Sequence, residues 1–301
     1  MRAWILNETK GPSSYELGEV NTPEPATGEV RVRLRTSALN HLDLWTSMGL
    51  PAPKSFPHIT GADGAGVVDA VGDGVEWVAV GDEVVIDPSI GQGPQTEHIP
   101  YGGHLGIVGE HQWGTLAEYI VLPASNVVAK PTTIGWEEAG AYGLVTGTAY
   151  RMLNRARLQS GDLLLVVGVG GGVSSAGLSL GIAMGAEVWV TSTKPEKIDR
   201  AIELGAAGGF DSTGEFASEL KSRTGRAATV ILENVGGATW KQSMRVLGVG
   251  GRLVTCGSTA GPKVEITIPV LFFKHHEIIG STMFDREDFK AVTDMVGKGS
   301  I

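Results

Sequence analysis

The chain has 301 residues, 42% of them hydrophobic and 19% charged, with a formal net charge of −9. This composition suits one large or two medium globular domains, and the negative balance disfavours nucleic acid or an anionic membrane surface as a partner. A lone cysteine, Cys256, excludes an internal disulfide and any cysteine-based zinc cluster. No apolar run can span a bilayer and no signal peptide opens the chain, so a cytoplasmic enzyme is expected.

Residues 1 to about 125 carry many short strand signals divided by turn residues. Met1 to Leu6, Glu29 to Ser37, Gly64 to Val71, Glu83 to Ile86 and Glu118 to Leu122 read as strands. Arg31 to Thr36 alternates charge with apolar residues, like a strand with one wet face. Leu42 to Met48 reads as a short helix. Many strands without a long helix predict a small β-barrel.

Asp87 to Trp113 is polar and rich in glycine and proline, and reads as a long loop. Its histidines, His98, His104 and His111, do not match a tight metal-ligand spacing and read as solvated. From Trp136 the pattern turns helical, with Thr133 as a candidate cap and Glu137 and Glu138 in the first turn. A second helix over Thr148 to Ala156 is followed by Arg157.

The stretch Leu163 to Ser192 organises the rest. Leu163 to Val167 is an unbroken apolar run, as in a strand buried on both faces. Gly168, Gly170, Gly171 and Gly172 follow, then small and apolar residues from Val173 to Met184 suited to a helix. Gly185 ends that helix and Glu187 to Thr191 reads as a second strand. Strand, glycine turn, helix, strand is the unit that holds a dinucleotide pyrophosphate: missing Cβ atoms admit the phosphates, and the helix N-terminus stabilises their charge. Ser174 stands where a third glycine would allow close helix packing. Beyond it, helices (195–204, 214–223, 237–246) alternate with strands (208–211, 228–233, 252–257), the pattern of a doubly wound parallel sheet. Glu277 to Ser281 reads as its last strand and Asp285 to Val296 as a final helix.

Taken together, several segments resemble the medium-chain dehydrogenase/reductases, the superfamily of zinc alcohol dehydrogenases and zinc-free quinone oxidoreductases. They are Ala38 to Asp43 (ALNHLD), Gly61 to Val68 (GADGAGVV), Val80 to Val85 (VGDEVV), Gly114 to Tyr119 (GTLAEY), Thr146 to Ala149 (TGTA), the glycine turn, Asn234 to Gly237 (NVGG) and Gly250 to Gly257 (GGRLVTCG). The resemblance implies an α/β fold in which a Rossmann doubly wound parallel sheet is inserted in a GroES-like β-barrel catalytic domain. The expected divisions are 1–125 for the catalytic domain, 126–271 for the dinucleotide-binding domain, and 272–301 for the last sheet strand and the return to the catalytic domain. Relatives continue with a further helix and strand, so the C-terminal end reads as short.

Departures from the zinc members set the expected chemistry. Asn40 stands at their first cysteine ligand, Ala62-Asp63 at their His-Glu pair, and Tyr142 or Gly143 near their third ligand. Leu42 replaces the relay hydroxyl, and residues 87–113 lack the four cysteines of their structural lobe. Catalytic zinc needs three protein ligands, so no metal is expected. Without a Lewis acid, alcohol oxidation loses its main electrostatic support. The zinc-free branch, with asparagine at the Asn40 position, implies NADPH-dependent reduction of a quinone, an enone or a similar activated carbonyl compound.

Asn40, Asp63 and Tyr142 are the candidate catalytic residues. Asn40 reads as an amide donor or a helix cap, Asp63 as an orienting or proton-shuttling group or a structural acceptor, Tyr142 as a phenol donor or a packed aromatic. Trp45 reads as a pocket wall or a core residue. The dinucleotide is expected against Thr146, Gly168, Gly170, Gly171, Gly172, Val173, Ser192, Thr193, Lys197, Asn234, Val235, Gly236, Cys256 and Gly257. At the end of the second strand, where NAD-specific relatives carry a carboxylate, Ser192, Thr193, Lys194 and Lys197 suit a 2′-phosphate, so NADPH is expected over NADH. The other readings are an alcohol dehydrogenase with an atypical metal set through His58 or the loop histidines, and a non-catalytic dinucleotide-binding protein. The apolar edge of the last strand, Glu277 to Ser281, points to a homodimer or higher homo-oligomer.

Overall fold

A computed structural model of the chain describes residues 1–91 and 99–301. It divides into two compact units, Met1–Leu144 with Phe284–Ser300, and Val145–Met283 with Ile301.

In the first unit β1 (Arg2–Leu6) and β2 (Tyr15–Glu19) form an antiparallel hairpin. The chain then runs through β3 (Glu29–Ala38), α1 (His41–Ser47), β4 (Asp63–Val71), β5 (Glu83–Ile86), β6 (Ser89–Gly91), β7 (Leu105–Ile107), β8 (Tyr119–Pro123), β9 (Val127–Ala129) and α2 (Trp136–Ala139). Five of these strands build an antiparallel sheet in the order β8-β3-β4-β5-β9. The expected alternation along β3 holds. Val30 and Val32 are wholly buried with Val68, Ile86 and Leu122, while Arg31 faces outward onto Asp69 and Glu24.

The second unit begins within α3 (Gly143–Arg155). It continues as β10 (Leu163–Val166), α4 (Gly172–Ala183), β11 (Glu187–Ser192), α5 (Pro195–Glu203), β12 (Gly208–Asp211), α6 (Phe216–Thr224), β13 (Ala228–Glu233), α7 (Trp240–Val246), β14 (Leu247–Thr255), α8 (Ile268–Phe273) and β15 (Glu277–Gly280). Its six strands are all parallel, ordered β12-β11-β10-β13-β14-β15. All four residues of β10 are buried, as a central strand with both faces covered requires. Trp189 and Phe210 stack at 5.2 Å in the core beneath α6. The close packing that residue 174 does not provide comes one turn later. A Cβ on Gly177 would lie 2.6 Å from Leu232 Cδ1, so glycine lets α4 sit this near the sheet without displacing that methyl. A last helix, α9 (Arg286–Gly297), belongs to the first unit and is capped by Asp285, whose carboxylate accepts from Glu287 and Asp288 N–H.

The structure moves four expectations. Residues 126–144 belong to the first unit, not the second, because β9 hydrogen-bonds to β5; the division falls at Leu144/Val145. The second unit likewise extends past 271 to Met283, because β15 adds to β14. Thr133 does not cap α2, whose N-cap is Gly135. Its hydroxyl instead donates to the last carbonyls of α9, Val296 and Gly297. The stretch 87–113 is not all loop. β6 and β7 pair antiparallel within it, and Gly91 leaves room for the Tyr101 ring against the strand. His98 lies outside the described residues.

Candidate active site

Asn40 sits at the end of β3 and opens α1. Its backbone N–H donates to Asp43 Oδ2 at 2.7 Å, one half of a capping box. Its side-chain Nδ2 donates to Asp63 Oδ2 at 2.9 Å. Cap and amide donor, alternatives on the sequence, are therefore one arrangement. Asp63 is only 1% exposed, at the start of β4. Its second oxygen accepts the Leu144 N–H at 2.6 Å, at the first turn of α3. Burial pushes the Asp63 carboxyl up to about 6, against the pull of its Asn40 and Leu144 hydrogen bonds, while the nearby Asp43 adds to the rise.

Asp43 is a member of this group that sequence reasoning missed. It is buried, accepts the Gly61 N–H at 2.7 Å through Oδ1, and is raised by burial. Tyr15 Oη reaches both the Asp43 carbonyl and Thr60 Oγ1. The signal was present: Asn40-x-x-Asp43 before a helix is capping-box spacing. Beside these groups lies a cavity of about 620 Å³, lined by Trp4, Tyr15, Leu39, Asn40, Leu44 and Leu116 among others. The indole on this cavity is that of Trp4. Trp45, the expected wall, packs beside His41 instead.

Tyr142 does not join Asn40 and Asp63 by a hydrogen bond. Its hydroxyl meets Thr293 Oγ1 at 2.9 Å and its ring stacks on Phe289, which fits the packed-aromatic alternative. Burial pushes its phenol up to about 12, so the hydroxyl stays protonated near neutrality.

The expected dinucleotide residues gather in the second unit at the carboxyl ends of the strands. The chain runs outward from β10 to β12, then crosses back to β13, so the topological switch lies between β10 and β13, where α/β sheets bind ligands. The turn after β10 needs glycine twice: Gly168 has φ +74° and Gly170 +105°. Thr191 holds this turn, its Oγ1 accepting from Gly168 N–H and its carbonyl from Val169 N–H. Gly171 is the N-cap of α4; Gly172 and Val173 begin its first turn, whose N–H groups have no partner within the helix. A Cβ on Gly170 would lie 2.4 Å from Lys197 Cδ, so the lysine side chain reaches back over the turn. Ser192 is buried and its Oγ accepts from Lys194 N–H, while Thr193 is exposed. Asn234, Val235 and Gly236 form the turn after β13, and Cys256 and Gly257 follow β14. Thr146 is buried in the first turns of α3.

Two family models match the chain, one described as a zinc-binding dehydrogenase over residues 172–298 and one as an alcohol dehydrogenase GroES-like domain over residues 26–132. An acryloyl-coenzyme A reductase of Metallosphaera sedula is 30% identical, across 100% of this chain and 90% of its own length. The chain belongs to the medium-chain dehydrogenase/reductase superfamily. A quinone oxidoreductase of Pseudomonas aeruginosa is 30% identical over 87% of this chain and 74% of its own. A solved NAD-dependent alcohol dehydrogenase superposes with a TM-score of 0.94 at 36% identity, covering 100% of this chain and 90% of that one. The relatives point to an oxidoreductase.

In this medium-chain dehydrogenase/reductase the residues at the superfamily's zinc positions do not fit the metal. Asn40 offers an N–H, both Asp63 oxygens are engaged, and the Tyr142 hydroxyl is held by Thr293. His58, the other candidate, is buried with Nε2 on the Gly109 carbonyl, and His111 Nδ1 accepts from Ile107 N–H. Among the described residues no group of three or more His, Cys, Asp or Glu side chains could hold a metal ion. The dinucleotide does fit: the glycine turn, the open helix start and the overhanging lysine form a cradle that added Cβ atoms would fill.

Proposed function

We propose that this oxidoreductase is a zinc-independent, NADPH-dependent reductase of a quinone, enone or similar activated carbonyl compound. The observation that carries this reading is the Asn40–Asp63 pair, which puts an oriented N–H donor where zinc relatives keep a metal ligand. The bound dinucleotide supplies the hydride. An amide nitrogen carries two N–H groups. One is held by Asp63, and the other is left to donate to an acceptor oxygen as negative charge develops on it. The neighbouring cavity, walled mostly by apolar side chains, suits an uncharged ring or enone and limits water at the reacting carbon. A panel of quinones, enones, aldehydes and alcohols, each run with both cofactors and with and without chelator, tests the proposal. Chelator-insensitive NADPH oxidation by a quinone or enone supports it; chelator-sensitive turnover of alcohols alone would end it.

Cofactor preference rests on Ser192 and Lys197, a hydroxyl and a cation at the β11 end of the glycine turn, with no carboxylate at position 192. A charge-assisted hydrogen bond contributes about 1.5–3 kcal/mol. Lys197→Glu is therefore expected to weaken NADPH binding by about tenfold to hundredfold, with NADH little changed. Fluorescence titrations with the two cofactors read this, and an equal loss for both would count against a 2′-phosphate contact.

Self-association is proposed on the same unit. Among the described residues β15 ends the parallel sheet with an open edge, and no residue of α8 is buried. Phe273 is 76% exposed and Ile268 58%, an apolar surface of the kind that marks protein interfaces. Light scattering after size exclusion is expected to give a dimer or larger species, and Phe273→Asp to shift it toward the monomer. A monomeric wild type at micromolar concentration would remove this proposal.

A further inference from the structure

Glu233 is the last residue of β13 and is wholly buried. Among the described residues no cation pairs with it; four donors surround its carboxylate instead. Oε1 accepts from Val235 N–H at 2.7 Å and Gly236 N–H at 3.0 Å. Oε2 accepts from Thr239 Oγ1 at 2.9 Å and Ser243 Oγ at 2.8 Å. The four donors come from the turn after the strand, from the N-cap of α7 and from α7 itself. One carboxylate therefore closes strand end, turn and helix start into a single unit. A buried carboxylate is stable only when its oxygens are fully hydrogen-bonded, so the turn cannot leave this geometry without exposing the charge to an apolar interior.

The turn held in this way is part of the dinucleotide cradle. With the Val235 and Gly236 N–H groups drawn inward, the Asn234 and Val235 carbonyls point away and accept from Thr259 and Ala260 N–H. The single Ser174 hydroxyl proton is shared between the Val167 carbonyl at the start of the glycine turn, at 3.0 Å, and the Asn234 amide oxygen, at 3.3 Å. Val235 Cγ2 fills the space beside Gly168, where a Cβ would come within 2.7 Å. The backbone of the turn is thus taken up internally, and only the Asn234 and Val235 side chains face the glycine turn.

We infer that Glu233 is a positioning residue for the dinucleotide: it sets the 234–236 turn against the glycine turn so that the cradle is formed before the cofactor arrives. The inference rests on the dinucleotide-dependent reading above. Glu233→Gln keeps the shape and can still accept from the two backbone N–H groups, but its Nε2 must donate where Oε2 accepted. It is expected to raise the Kd for NADPH about tenfold, with the thermal midpoint close to wild type. The double variant Thr239→Val/Ser243→Ala removes the Oε2 donors and leaves Glu233 in place, and it is expected to weaken NADPH binding in the same direction. Both are read by fluorescence titration of the full chain, without any acceptor substrate, well below the unfolding transition. A merely structural carboxylate would lower the midpoint and leave the Kd of the folded protein unchanged, and that result in either variant overturns the inference. Wild type that binds neither NADPH nor NADH would instead defeat the functional reading, so the two failures are distinguishable.

Discussion

Asp63→Ala is expected to abolish turnover and to lower stability by about 1–3 kcal/mol, because it removes the carboxylate that accepts from Asn40 Nδ2 and Leu144 N–H in a buried site. Asp63→Asn is the more informative variant. Its oxygen can still accept from Leu144 N–H, but its amide nitrogen now faces Asn40 Nδ2. The Asn40 amide must turn over to present its oxygen, and the N–H assigned to the acceptor is displaced. Misorienting such a donor costs about a hundredfold in kcat. The dinucleotide KM is expected to stay near wild type, because the proposed cofactor residues lie in the other unit. The pH profile gives a second readout. The ionised form of Asp63 accepts from Asn40, and its carboxyl is pushed up to about 6. Wild-type activity should therefore rise through about pH 6 and level above it, and the Asp63→Asn profile should lack that limb. Wild-type kcat with the limb intact in Asp63→Asn would remove Asp63 from the site.

Much of this arrangement was legible in the chain because its signals are local. Leu163 to Val167 is apolar at every position, and a strand with that pattern must be covered on both faces. The glycine turn reads correctly because φ +74° and +105° are reached at low energy only by glycine. What escaped depends on contacts distant in sequence. β9 looks like the entrance to the second unit until its pairing with β5 is seen. The β6–β7 pair is hidden in a glycine- and proline-rich stretch, because each strand is only three residues long. Thr133 has the right residue type for an N-cap, but its hydroxyl serves a helix more than 150 residues away. Glu233 is missed for a different reason. A lone glutamate at a strand end reads as a solvated charge, and only the four donors around it reveal otherwise.

The largest pH effect on stability is expected from Asp87, just after β5. It is fully buried: Oδ1 accepts from Ser89 N–H and Oγ, while Oδ2 has no hydrogen-bond partner among the described residues. Burial pushes its carboxyl up to about 7. The Ser89 hydrogen bonds and the Arg286 charge oppose that rise, and Asp285 adds to it. In the unfolded chain the same group releases its proton near 3.8. Between these values the folded protein holds a proton that the unfolded chain has lost, so stability falls as pH rises from about 4 through about 7. Three pK units correspond to about 4 kcal/mol in the limit of a complete transition. Asp63 acts in the same direction over a narrower window, up to about 6. Asp87→Asn cannot ionise, so its stability should fall less between pH 5 and 8 and should exceed that of wild type at the upper end. Urea unfolding at several pH values compares the two directly. Parallel curves for the two proteins would mean that Asp87 is not protonated in the folded chain at pH 5, and that Arg286 or bound water compensates its charge within the fold.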